Sequence, residues 1–95
     1  MPLEAVYTER FLRDMDEKLD SELRCKAETI CERLQRDPAH AAHSRRLKHQ
    51  LSSYRAADIP PKRRGRWRSI FGIHGEHPDV PEGRIVFFFV SEHYR

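Results

Sequence analysis

The sequence predicts a two-layer α+β domain in which a short N-terminal strand and an α-hairpin pack on one face of a mainly antiparallel sheet. Two observations carry that expectation. Apolar residues recur at steps of three and four through the first third of the chain (Leu12, Met15, Leu19, Leu23, Ala27, Ile30, Leu34), with charged residues on the opposite face. Strand-like segments then follow one another from residue 52 onward, separated by Pro60-Pro61 and by a loop rich in Pro and Gly. Helices followed by strands, rather than alternating with them, gather on one side of a sheet.

Taken in order, "EAVY" (4–7) has the composition of a short strand, and Thr8 is placed to cap a helix with Glu9 in its first turn. Ser21 after Asp20 is a second cap, so the apolar stripe divides into helices over about 8–20 and 22–36. Pro38 ends the second helix, and "DPAHAAHS" is a connection. "SSYRAADI" (52–59) is a first sheet strand, stopped by two prolines that cannot donate ladder hydrogen bonds. In "RGRWRSIFGI" (64–73), Trp67, Ser69, Phe71 and Ile73 alternate with Arg66, Arg68, Ile70 and Gly72, a strand polar at its start and buried further on. Residues 74–83 form a loop, and "RIVFFFVSEHYR" (84–95) is apolar on both faces for six residues, so it is central in the sheet. The last three strands form an antiparallel meander.

The 95 residues suffice for a single domain with one modest core. The longest apolar run is six residues, "IVFFFV", against the roughly 20 that a membrane helix needs. "MPLEAVYTER" lacks the basic-then-apolar pattern of a secretory signal, so a cytoplasmic protein with no membrane partner is expected. Cys25 and Cys31 lie about 120° apart around one helix and cannot pair with each other.

The net charge of +3 conceals an asymmetry. Residues 1–43 carry seven basic and ten acidic side chains, a net of −3, whereas 44–95 carry eleven and five, a net of +6. Within 44–68 nine basic residues face one acid, Asp58. Such a concentration suits a nucleic-acid partner or an acidic protein. The remaining motifs exclude other chemistries. His40 with His43 and His74 with His77 lie in loop-like sequence, and no Cys pair completes a tetrahedral site, so no metal is expected. There is no phosphate-binding glycine loop and no nucleophilic Ser motif, and no cofactor is expected.

Across "YTERFLRDMDEKL", "ICERLQRDP", "RLKHQLSSYR", "GRWRSIFGI" and "RIVFFFVSEHYR", in that order and spacing, the chain resembles the RelE/ParE toxin superfamily of bacterial toxin–antitoxin systems. "LKHQLS" (47–52) and the near-terminal His93-Tyr94 look most like its YoeB branch. The resemblance implies a metal-independent endoribonuclease that cleaves messenger RNA within the ribosome and is neutralised by a wrapping antitoxin. The free toxin would be a monomer or weak dimer. It also implies that Arg68 stabilises the phosphate, that His93 and Tyr94 are catalytic, and that Arg55 belongs to a basic strand. Arg45 stands where the glutamate of that branch would fall, which leaves the proton acceptor open. The alternative is a member that cuts no RNA, either a ParE-like inhibitor of DNA gyrase or an inert antitoxin-binding homologue.

The chemistry such a site must perform agrees with these residue types. RNA supplies its own nucleophile, the 2′-OH beside each phosphate. The protein must accept a proton, return one to the 5′ oxygen, and stabilise the phosphorane with positive charge. Arginine suits the last role because it is always charged and grips two phosphate oxygens at once. His93 titrates near neutrality, Tyr94 can protonate a leaving group or stack on a base, and Glu92 is an available carboxylate base. Lys48, Arg55, Lys62, Arg63, Arg64 and Arg66 would hold RNA phosphates without sequence preference.

Overall fold

The computed structural model describes residues 2–39, 44–59 and 67–92. It contains β1 (Glu4–Tyr7), α1 (Glu9–Lys18), α2 (Ser21–Arg36), β2 (Arg45–Arg46), a 3-10 turn (His49–Leu51), β3 (Arg55–Ile59), β4 (Trp67–Ile73) and β5 (Arg84–Glu92). The strands form one five-stranded sheet in the order β1-β5-β4-β3-β2. β3, β4 and β5 are the expected antiparallel meander, β1 runs parallel to β5, and β5 is interior. No described helix is long and apolar enough to cross a membrane.

The helix hairpin is fixed by its caps. Thr8 Oγ1 accepts from the N–H of Phe11 (3.0 Å) and opens α1. The cap of α2 is Asp20 rather than Ser21, because Asp20 is the extended residue and its carboxylate accepts from the N–H of Leu23 (2.8 Å). Arg24 then reaches back to close α1, donating from Nε to Met15 O (3.1 Å) and from Nη2 to Leu19 O (3.0 Å). These bonds satisfy carbonyls that a helix end otherwise leaves open.

The buried stripe differs from the expected one by a residue. Phe11 is 1% exposed while Leu12 is 55% exposed. Either residue fits the spacing to Met15 and Leu19, but Thr8 sets the phase of α1 by donating its hydroxyl to Phe88 O (2.6 Å). Phe11 joins Ile30, Cys31, Leu34, Ala57, Phe71, Ile85, Phe87 and Val90 in one core between helices and sheet, with Trp67 and Ile73 packed at its margin. Cys31 is fully buried there, and burial pushes its thiol up to about 12, while Cys25 is exposed. A thiol reagent at mildly alkaline pH is therefore expected to modify one cysteine in the folded protein and two after denaturation, counted by mass.

Past Tyr7 the edge of β5 no longer pairs with β1, and α1 takes over its hydrogen bonds. Besides Thr8 on Phe88 O, the Val90 N–H donates to Asp14 Oδ2 (3.0 Å) and Lys18 Nζ donates to Val90 O (3.4 Å). The buried carboxylate of Asp14 also lies within 3.6 Å of Lys18 Nζ. A helix thus covers an edge that would otherwise be open to pairing with another chain.

The register of β4 on β5 shifts between Ile70 and Phe71, which pair with Phe89 and Phe87 and leave Phe88 as an extra residue. This bulge turns the remainder of β5 over by one position, so Val90 enters the helix-side core in place of Phe89. The face away from the helices is covered at one end. Residues 74–83 fold back, burying His77 against Tyr54 (ring centroids 4.6 Å apart) and Phe88 (4.7 Å). Gly72 permits this approach, since a methyl there would lie 2.9 Å from His77 Cβ. A second element not foreseen is β2, with the turn that follows it closed by the Leu47 N–H on Tyr54 O (3.0 Å).

Candidate functional site

Strand alternation divides the basic residues of the sheet between two faces. In β4, Ser69 and Phe71 point to the helices, so Arg68 stands on the other face. It is directly opposite Asp58 of β3 and Ser91 of β5. Asp58 is itself held by Arg45 of β2 through two hydrogen bonds, Nη1 to Oδ2 at 3.2 Å and Nη2 to Oδ1 at 3.4 Å. Arg68 takes no ion pair among the described residues, and its Nε is buried with no hydrogen-bond partner. Burial, and then the positive charge of Arg45, lower its pKa from the usual arginine value, while Asp58 acts in the opposite direction. The side chain remains a cation, because arginine does not deprotonate in proteins.

The other candidate residues separate in space. Arg55 has the parity of Ala57 and Ile59, which pack on the helices, and so faces away from Arg68. Its guanidinium bonds Glu76 from Nε at 2.8 Å and from Nη2 at 2.9 Å, and donates to Ser44 Oγ at 3.1 Å. The Arg55 hydrogen bond, acting against desolvation, depresses the Glu76 carboxyl below its ordinary range. Arg55 is thus a structural clasp between β3 and the loop 74–83, and its donors are not presented to RNA on the Arg68 face. Glu92 is displaced as well, for a different reason. It pairs with Trp67, which packs at the core margin, and the bulge at Phe88 puts it on the helix-side face, away from Arg68. Lys48 is exposed on the turn between β2 and β3, at the end of β3 remote from Asp58. Lys62, Arg63, Arg64, Arg66, His93 and Tyr94 lie outside the described residues, as do His40 and His43.

The pairing of the start of β4 with the end of β5 is as expected, running from Trp67 with Glu92 to Ile73 with Ile85. His74 and His77 do not converge: Nδ1 of His74 is 3.0 Å from Val80 O, and Nδ1 of His77 accepts from the Asp79 N–H at 3.1 Å. Among the described residues no group of three or more His, Cys, Asp or Glu is placed to hold a metal ion. Asp58 and Arg45 are the site neighbours that sequence reasoning missed. The single signal for Asp58 was its isolation as the one acid within 44–68.

Chemically, the face offers a guanidinium positioned by two neighbouring strands, with donors not taken up by described side chains, beside an ionic pair about half exposed on each side. An oxyanion docked there meets a donor set that needs no reorganisation.

No family model matches the sequence, and no curated protein is recognisably similar to it in sequence. Solved structures are similar in fold. The toxin–antitoxin complex RelBE2 from Mycobacterium tuberculosis contains a chain that is 22% identical, with a TM-score of 0.72, covering 98% of this chain and 100% of that one. A YoeB/ParE toxin from Agrobacterium tumefaciens is 18% identical with a TM-score of 0.72, covering 97% and 100%. The YoeB dimer from Staphylococcus aureus is 15% identical with a TM-score of 0.71, covering 99% and 100%. Two helices on a five-stranded mixed sheet, matched over nearly the whole length of both chains, give this protein the RelE/YoeB toxin fold.

Proposed function

We propose that this protein is the toxin of a toxin–antitoxin module and acts as a metal-independent endoribonuclease on messenger RNA held in the ribosome. The observation that carries the reading is Arg68. Its guanidinium is held on a sheet face with a buried Nε that has no partner among the described residues, within a stretch of net charge +8. A buried donor without a partner is a cost to the fold, and such groups are found where a ligand completes them. The fold supports the same reading, since the similar structures are named as RelE- and YoeB-type toxins. Arg68 stabilises the phosphorane formed when the ribose 2′-OH attacks the adjacent phosphate. His93 and Tyr94 return a proton to the leaving 5′ oxygen, and Lys48, Lys62, Arg63, Arg64 and Arg66 hold RNA phosphates of the message and ribosome. A single domain working in the cytoplasm, neutralised by an acidic segment of its antitoxin, completes the proposal.

A second reading is favoured by the placement of Glu92 and Arg55 away from Arg68: a non-nuclease relative that inhibits DNA gyrase or only binds its antitoxin. The deciding experiment adds the purified protein to ribosomes programmed with a defined message and, separately, to a gyrase supercoiling reaction. Cleavage of the ribosome-bound message, undiminished by a chelator, is the expected result. Intact message with blocked supercoiling would establish gyrase inhibition instead.

A further inference from the structure

We propose that Asp58 is the proton acceptor of this site, taking the 2′-OH proton of the nucleotide whose phosphate Arg68 grips. The inference rests on the ribonuclease reading above and adds to it the group that starts the reaction. Asp58 and Arg68 are direct partners across the β3–β4 ladder, on the face away from the helices. Side chains directly opposed on antiparallel strands start about 5 Å apart at Cβ. A phosphodiester docked on the outer edge of the guanidinium therefore lies beside the carboxylate, and the 2′-OH is the substrate hydroxyl nearest that phosphorus.

Of the two residues that flank Arg68 in register, Asp58 and Ser91, only Asp58 carries a carboxylate. Glu92 is turned to the other face by the bulge. Arg45 grips both oxygens of Asp58 and fixes the plane of the carboxylate, yet each oxygen keeps a second lone-pair direction. The Asp58 side chain is 47% exposed, so substrate can reach it. Its location is also informative in terms of charge. A lone acid among nine basic residues weakens phosphate attraction, which is a poor arrangement for binding alone and a suitable one for proton removal.

In the step, an Asp58 oxygen takes the proton from O2′, and the freed electron pair of O2′ forms a bond to phosphorus. Arg68 stabilises the charge that gathers on the equatorial oxygens. The bond from phosphorus to O5′ then breaks, and O5′ leaves with its electron pair, taking a proton that the acid of the proposed site supplies and then recovers from water. Asp58 returns its proton to the solvent. The products are a 2′,3′-cyclic phosphate and a 5′-hydroxyl, with no net proton change. Arg45 is a positioning residue that acts through Asp58.

The test is single-turnover cleavage of programmed ribosomes at saturating enzyme. Asp58→Asn and Asp58→Ala are expected to lower the saturated rate by ~10²–10⁴-fold, with half-saturation unchanged or tighter. Added formate should restore part of the Asp58→Ala rate and none of the Arg68→Ala rate. Arg45→Ala should give a smaller loss that Arg45→Lys recovers in part. Because Asp58 is half exposed and in no core contact, thermal melting of the Asp58 variants should fall by no more than the loss of one exposed ion pair allows. Asp58→Asn cutting at the parent's saturated rate while Arg68→Ala does not would overturn this assignment and leave the ribonuclease reading standing. A parent protein that cuts no message would overturn both.

Discussion

Arg68→Ala is expected to lower saturated single-turnover cleavage of programmed ribosomes by ~10²-fold or more without lowering the stability of the fold. The two halves of that result have one cause. The Nε of Arg68 is buried without a partner among the described residues, so the folded protein already bears the cost of withdrawing it from water. Removing such a group relieves a penalty of about 1–3 kcal/mol while giving up the packing of its stem. Arg68→Met, which keeps most of the stem, should therefore match the parent in thermal melting or exceed it. The same preorganised guanidinium is worth most when charge develops on the phosphorane, so its loss should appear in the rate at saturation more than in binding. Replacement by lysine should recover little, because one compact ammonium cannot reproduce a two-point grip. A variant that melts much lower than the parent yet cuts at the parent's saturated rate would show that Arg68 is a structural residue.

The placement of Arg68 was legible in the sequence because β4 alternates cleanly. Trp67, Ser69, Phe71 and Ile73 share the helix side, and the arginine between the first two must lie on the other. The helix pair was legible for the same reason, a repeat of period 3.6 with a cap at each start. Three features were hidden, each by a definite physical circumstance. "FFF" at 87–89 presents identical side chains to both faces, so nothing in the pattern marks Phe88 as the bulge. That one residue decides whether Glu92 faces Arg68 or the helices. β2 consists of two arginines and has no apolar period to read. It forms because the turn at 47–54 closes and Arg45 finds Asp58. Arg55 looked like one more member of a basic face, since its partner Glu76 lies 21 residues away and meets it only when the loop folds back.

That partnership has its own expected consequence. Glu76→Gln should destabilise the protein by about 2–3 kcal/mol at neutral pH, between the values for exposed and fully buried ion pairs. The Arg55 and Glu76 side chains are 13% and 20% exposed, so the pair is only partly screened. Glutamine keeps one acceptor oxygen but no charge, so the Arg55 guanidinium loses its counter-ion and one of its hydrogen bonds, and two donors then face each other at the lost oxygen. Arg55→Ala should be the milder change in electrostatics, because Arg46 Nε remains 3.9 Å from Glu76. The sign of the pH dependence follows from the depressed carboxyl. A folded pKa below the ordinary 4.5 means that the stabilisation is fully present above that value and is lost as pH falls through the lower folded one. The difference in unfolding free energy between parent and Glu76→Gln, measured by urea titration, should therefore be constant near neutrality and shrink in acid. Because this clasp lies on the other side of the sheet from Arg68, saturated cleavage by Glu76→Gln should stay within several-fold of the parent wherever the variant is folded. A large loss of cleavage with no loss of stability would mean that Arg55 and Glu76 touch the RNA, and that both faces of β3 take part in the site.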